Sequence, residues 1–473
     1  MKNRSRIFVL PVQVIFFLVL IPLMGACDGN GGKAALAIEN VTVIDAVNGV
    51  RDHQRVVIDG DEIVSVSAMA VEVSARETID GTGQFLIPGL WDMHVHFLYD
   101  NELSEVMAPM FLKYGITSVR DTGGEIERLV DLRTRIDVSG APAPRIFLSG
   151  PLLDGKFVVY DGALPAQPKL GTGVPDVESA RQKVRELKAA GADFIKIYEL
   201  IQPDVYSALV EEARLLDMPV ASHVPLMMTA DSAGPMADSM EHLRNLELAC
   251  AENWEELLAV RQTQIGAFVE GRGYELRRGL HSLQRIPAIN AYDETRCNLV
   301  LDALGNTIQV PTLRLNTVGM LIPDSRIGWA DAIKILPVEV QNRWLSELSQ
   351  LKSGLPEADH TFAMWSMFLV SRLQERGVPI GAGTDTPIGW GIPGYSLHTE
   401  LEMLVNAGLS ETQALYAATV QPARFFGLEK EMGQIQAGMR ADLVLLDADP
   451  LLNITNTRRI RGVVSKGQWL RTR

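Results

Sequence analysis

From residue 35 to about residue 85, apolar and polar positions alternate with a period of two in short runs: LAIENVTVIDAVNG, QRVVIDGDEIVSVS and ETIDGTGQFLIPG. That period puts successive side chains on opposite faces of an extended chain, and Gly49, Gly60, Gly81 and Gly83 fall where turns are needed. The same rhythm returns near the other end, in GQIQAGMRADLVLLDADP and RIRGVVSKGQWL. The two ends are therefore expected to pair into one small β-sandwich domain, residues 35–85 plus 431–473. Between them the rhythm changes to strand followed by amphipathic helix. Apolar runs occupy 86–96 and begin again near 115, 144, 194, 219, 239, 308 and 380, with helical stretches such as DVESARQKVRELKAAG between them. Eight such units predict an α/β chain with a (β/α)8 TIM-type barrel over 86–430. The charged stretch 244–307 breaks the repeat and reads as a helical insertion over the mouth of the barrel.

The first residues follow a different pattern. Lys2, Arg4 and Arg6 precede the apolar run IFVLPVQVIFFLVLIPLMGA, which ends in LMGAC at Cys27 and continues as DGNGG. This resembles a bacterial lipoprotein signal, with 1–26 removed, Cys27 lipidated and 27–34 a flexible tether. A plain signal peptide and an uncleaved apolar anchor are the other readings, since about 20 apolar residues can cross a bilayer. All three export the remainder, and a membrane-tethered lipoprotein on the periplasmic or cell-surface side is the one expected.

At 473 residues the chain can bury a large core. Its formal net charge of −14, with no long basic run after the first few residues, argues against nucleic acid as a partner. Cys250 and Cys297 are far apart in the insertion and are read as two unrelated thiols.

The polar residues that an apolar strand should lack all fall near predicted strand ends. His94 and His96 end the first in LIPGLWDMHVHF, Lys196 lies in the fourth, His223 in the fifth, His242 in the sixth, and Asp385 closes the eighth. Positions i and i+2 of a strand share a face, so His94 and His96 can grip one ion together. Taken singly, each residue has a bland reading: a core imidazole, a lysine reaching the rim, an aspartate starting a turn. Placed together at the end where barrel enzymes carry their chemistry, they indicate a metal site. Tyr198, two positions beyond Lys196, shares its face and is a candidate hydrogen-bond donor to substrate, with barrel packing as the alternative. His398 is open between an active-site and a helix-capping role. Arg120 and Asp121 read as structural, and His53, His281 and His360 as surface or core histidines.

These residues, together with PGLWDMH, the GTD of the eighth strand, LHTELEMLVNAGLSETQALYAATVQPARFFGL and GQIQAGMRADLVLLD, resemble the amidohydrolase superfamily, in particular an exported branch near imidazolonepropionase-like enzymes and bacterial metallo-dipeptidases of the prolidase type. The resemblance implies two divalent metal ions; imidazole and carboxylate ligands favour zinc, with manganese, cobalt or iron also open. His94, His96 and Asp385 would hold one ion and His223 and His242 the other, with a carboxylated Lys196 bridging them. Without carboxylation, a single-metal site on His94, His96 and Asp385 is the fallback. It further implies hydrolysis of an amide-type C–N bond in short peptides by a metal-activated hydroxide, with Asp385 as proton shuttle, and a homo-oligomeric assembly. Hydrolysis of cyclic amides, lactones or phosphotriesters on the same residues stays open, as does a binding lipoprotein that keeps its metal without catalysis.

Overall fold

The computed structural model describes residues 34–69, 74–164, 167–269, 271–354 and 360–471. The signal segment, Cys27 and all of the tether but Ala34 lie outside them. No described helix is long and apolar enough to cross a membrane.

The two chain ends do pair. Strands Ala34–Asp45, Gly49–Asp59 and Glu62–Ala68 form an antiparallel meander. On the other side of Ala34–Asp45 the sheet continues through Phe85–Pro88 to Leu443–Leu446, Ile460–Ser465 and Gln468–Arg471, and Ala75–Asp80 also pairs with Ala34–Asp45. The expected sandwich is thus a single mixed sheet of eight strands. Leu36, Ile38, Val56, Ile58, Leu443 and Leu445 form the core of this region, as the period-two pattern requires.

The run 86–96, read as one strand, is two. Phe85–Pro88 belongs to the terminal sheet, while Leu90–Val95 pairs in parallel with Ile116–Asp121. Gly89 separates them, and a Cβ there would lie 2.1 Å from Thr117 Oγ1, so a side chain is excluded where the chain passes between sheets.

Apart from an antiparallel pair, Asp161–Leu164 with Gln167–Lys169, the remaining strands are parallel, in two sheets. Leu90–Val95, Ile116–Asp121 and Arg145–Leu148 form one. Gly171–Gly173, Leu152–Asp154, Ile195–Ile197, Val220–Ser222, Ser239–Glu241 and Ile308–Val310 form the other, in that order. The segment 380–385 was expected as an eighth strand. The chain from 380 to 386 runs between the two sheets without a ladder, making isolated parallel bridges at Gln309 with Ile380 and at Val95 with Thr386. Met93 N donates to Ala382 O (2.9 Å) and Asp385 N to His94 O (2.7 Å). Extended pairing is interrupted at Asp385, which has φ 60°, while the close approach to His94, where a Cβ at Gly383 would come within 2.9 Å of that of His94, is open only to glycine.

Helices follow the strands where the amphipathic pattern placed them. Val177–Ala190 starts from Asp176, whose carboxylate accepts Ser179 N in a reciprocal capping box, and stops at Gly191. The insertion is helical, with Trp254–Ala267, Gly273–Asn290 and Glu294–Ala303 as its long elements. One expectation within it is overturned: Cys250 and Cys297 form a disulfide. Asp293 N donates to Cys250 O (2.9 Å), which brings the start of Glu294–Ala303 beside the end of Leu246–Ala249. Proximity of that kind, not spacing in sequence, decides pairing.

Candidate metal centre

The six side chains singled out from sequence meet around one small cavity of about 40 Å³, lined also by Tyr198, Tyr160 and Arg244. That volume is room for water-sized occupants. Ligand atoms of His94, His242 and Asp385 lie within 4.8 Å of one another. Asp385 Oδ1 is 3.2 Å from His94 Nε2 and 3.1 Å from His96 Nε2, yet no hydrogen bond is formed at that oxygen. The ring of His242 stands 4.5 Å from that of His94 and 4.7 Å from that of His223. The tightest group therefore joins His94 and Asp385 to His242, with His96 reached through Asp385.

What turns the imidazoles inward is the partner behind each. His94 Nδ1 meets Glu241 Oε2 at 2.6 Å, His223 Nδ1 meets Glu199 Oε1 at 2.8 Å, and His242 Nδ1 meets Thr312 Oγ1 at 2.8 Å. An oxygen at Nδ1 fixes the ring and leaves Nε2 facing the cavity, as in metal sites where a carboxylate or hydroxyl orients the ligand. Burial, reinforced by the nearby Lys196, holds His223 well below its ordinary pKa, and burial does the same for His242. Both rings are therefore neutral, the form that ligates. Burial would raise the Asp385 carboxyl, but His242 and His94 draw it well below the usual carboxylate range.

Lys196 is fully buried on strand Ile195–Ile197, and its Nζ has no hydrogen-bond partner among the described residues. Its nearest counter-charge is Glu241 Oε1 at 3.7 Å. Burial lowers its pKa to about 7, so a substantial fraction is neutral amine at neutral pH. An orphaned buried amine, a bare carboxylate oxygen and converging neutral imidazoles make a donor set that suits a divalent cation of borderline character.

Among the softer candidates, Tyr198 is brought to the cavity, its ring 4.4 Å from His223. His398 is not. It is fully buried elsewhere, with Nδ1 2.9 Å from Thr457 Oγ1 and Nε2 2.9 Å from the Tyr114 carbonyl, so it ties a helix to its surroundings and takes no part in the site. Arg120 is buried in a structural ion pair, but its partner is Glu241 and not Asp121, which accepts Phe97 N and Gly123 N. Arg120 donates to Glu241 (2.7 Å), Ser239 Oγ (2.9 Å) and the Met93 carbonyl (2.5 Å) beneath His94.

Residues 366–470 match the Amidohydrolase family. Over 388 residues the chain is 24% identical to the imidazolonepropionase of Rubrobacter xylanophilus, covering 79% of this chain and 78% of that one. It is 23% identical to the L-hydantoinase of Paenarthrobacter aurescens over 443 residues, 87% of this chain and 85% of that protein. The fold is shared with a Xaa-Pro dipeptidase crystallised with methionine in its active site, at TM-score 0.65 and 21% identity, over 92% of this chain and 99% of the other. These likenesses support the amidohydrolase superfamily, near its imidazolonepropionase-like branch.

Sequence reasoning missed the residues behind the candidate ligands. Glu241 precedes His242 directly, and strand alternation would send the two to opposite faces. The left-handed backbone at His242 (φ 64°) and Leu243 (φ 57°) breaks that rule and lets both serve the site. Glu199 is fully buried and held well below the carboxylate range. Burial alone would raise it, and Arg277 and His281 outweigh that effect. His281, read as a surface or core histidine, reaches Glu199 at 2.6 Å from the inserted helix. For Glu241 a usable signal existed, an acidic residue inside an apolar strand beside a candidate ligand. None existed for His281.

Proposed function

We propose that the protein is an exported, membrane-tethered metal-dependent hydrolase that cleaves an amide-type C–N bond, with short peptides as its substrates. The observation that carries this reading is the backing of His94, His223 and His242 by Glu241, Glu199 and Thr312, which points three Nε2 atoms at Asp385 and Lys196. Divalent cations bound there supply the charge that activates a water and polarises a carbonyl. The protein's own residues do the rest. His94, His96, His223, His242 and Asp385 hold the metal. Lys196, as the neutral amine, would take up CO₂ and release a proton, becoming an anionic carbamate whose oxygens can serve as ligands. Asp385 accepts the proton of the attacking water and passes it to the leaving amine, base first and acid second. Tyr198 is placed to donate a hydrogen bond to the oxygen on which charge develops.

The peptide reading draws support from the likeness to a Xaa-Pro dipeptidase. A second reading, hydrolysis of a cyclic amide, draws support from the imidazolonepropionase and hydantoinase relatives. Metal analysis of protein purified without chelators, paired with hydrolysis of a dipeptide library and a hydantoin panel, tests both. About two metals per chain, with metal and dipeptide turnover lost together in Lys196→Ala, is the expected result. Bound metal with no turnover on either panel would overturn the hydrolase reading, and turnover of hydantoins alone would replace the peptide by the ring.

A further inference from the structure

Beside the metal cavity lies a second one, about 380 Å³, whose wall is cationic. Arg244, Arg277, Arg278 and Arg285 line it, with Tyr274 and Phe362 as aromatic surface. Arg244 lines both cavities, so the two adjoin. Tyr274, Arg277, Arg278 and Arg285 lie on one face of helix Gly273–Asn290, at spacings of three, four and seven or eight that bring side chains together. In a chain of net charge −14 this is a deliberate local excess of positive charge.

Its charges are incompletely matched. Glu199 accepts Arg277 Nη2 at 2.8 Å and sits 3.8 Å from Arg244 Nη1, while Glu247 lies 3.6 Å from Arg285 Nε. No carboxylate lines the cavity among the described residues. Two buried carboxylates thus answer four guanidinium groups. Both oxygens of Glu247, and the Nε atoms of Arg277 and Arg285, have no hydrogen bond among the described residues. Arg285 packs over the Phe362 ring at 4.2 Å, which holds its planar head at the wall. Arg285 Nη2 also meets His281 Nδ1 at 3.0 Å, yet guanidinium groups in surplus over carboxylates, lining a cavity beside the candidate metal centre, form a receptor for a carboxylate.

We propose that this cavity is the anion subsite of the enzyme, where Arg244, Arg278 and Arg285 hold a free carboxylate of the substrate while its amide bond lies at the metal centre. This rests on the hydrolase reading above and narrows it to carboxylate-bearing amides. Arg277 is mainly committed to Glu199 and acts as a positioning residue for the wall. Phosphate could satisfy the same donors, but a small peptide or N-acyl amino acid already carries the carboxylate that a subsite next to an amide-cleaving centre would meet.

The test compares N-acetyl-L-alanine with N-acetyl-L-alaninamide by calorimetry on the full metal-loaded protein, with inorganic phosphate and acetate as simple anions. The acid should bind at least about tenfold more tightly than the amide, with the margin shrinking as salt rises. Arg278→Gln, an exposed position, should reduce that preference severalfold, and Arg285→Gln should reduce it further. Equal binding of acid and amide, or an unchanged preference in Arg278→Gln, would overturn the proposal. Phosphate binding more than tenfold tighter than acetate would reassign the cavity to phosphate esters. The ratio of kcat/KM for a dipeptide and its C-terminal amide separates the two readings. A protein that discriminates in binding but turns over neither keeps the subsite and loses the hydrolase. One that turns over both equally keeps the hydrolase and loses the subsite.

Discussion

The metal cavity and the arginine cavity share Arg244 but are built by opposite means. In the first, ligands come from the ends of several parallel strands, and each of three histidines is fixed by a partner behind it, so the open valences point at one small space. In the second, most of the wall comes from one inserted helix, and its charges are left partly unanswered around a volume nearly ten times larger. The difference teaches that chemistry needs convergence from a rigid sheet, whereas recognition needs reach and surplus charge.

The sharpest way to break this division is Asp385→Asn. Removing the proposed proton carrier should lower kcat by about 10²- to 10⁴-fold while leaving the acid-over-amide preference in place. Steady-state kinetics with calorimetry on the same preparation checks it, and equal loss of both would show that the cavities are one.

Glu241→Gln comes next. The carboxylate is held well below its usual range, since Arg120, Lys196 and His94 outweigh the burial that would raise it. Neutralising it leaves Arg120 buried without a counter-charge, expected to cost about 3–5 kcal/mol in urea unfolding. Metal affinity should fall about 10- to 100-fold as His94 loses its orienting partner. A stability change under about 1 kcal/mol would show that the Arg120 charge is answered elsewhere.

The disulfide sharpens the other side. Replacing Cys250 and Cys297 by serine opens a loop of 47 residues that carries the helix of the arginine wall. The cost should be about 4 kcal/mol. Anion preference should weaken before the metal content does, which metal analysis alongside thermal unfolding would reveal.

The smallest effect concerns His398, which belongs to neither cavity. Burial pushes its pKa from 6.5 down to about 3, so the folded protein keeps it neutral while the unfolded chain binds a proton. Its contribution to stability is present above the unfolded value and is lost as pH falls from about 6.5 toward 3, with a slope of at most about 1.4 kcal/mol per pH unit. His398→Gln should flatten stability against pH across that window without changing kcat. An unaltered slope would show the ring is protonated in the fold.

The alternation of the terminal strands, the strand and helix rhythm and the placing of His94, His96, Lys196, His223, His242 and Asp385 were written in the order of residues, because periodicity and the oddity of a polar side chain in an apolar strand are local properties. Everything that depends on two distant segments meeting was not. The Cys250–Cys297 bond, the break of strand 86–96 at Gly89, the failure of 380–386 to extend, Glu241 turned by the left-handed backbone at His242, and the arginine face brought against Glu199 all arise from contacts across the fold. Sequence sets which side chains are available and which face of an element each occupies. Only packing in three dimensions decides which faces share a cavity, because burial and charge pairing act through space and carry no record of chain distance.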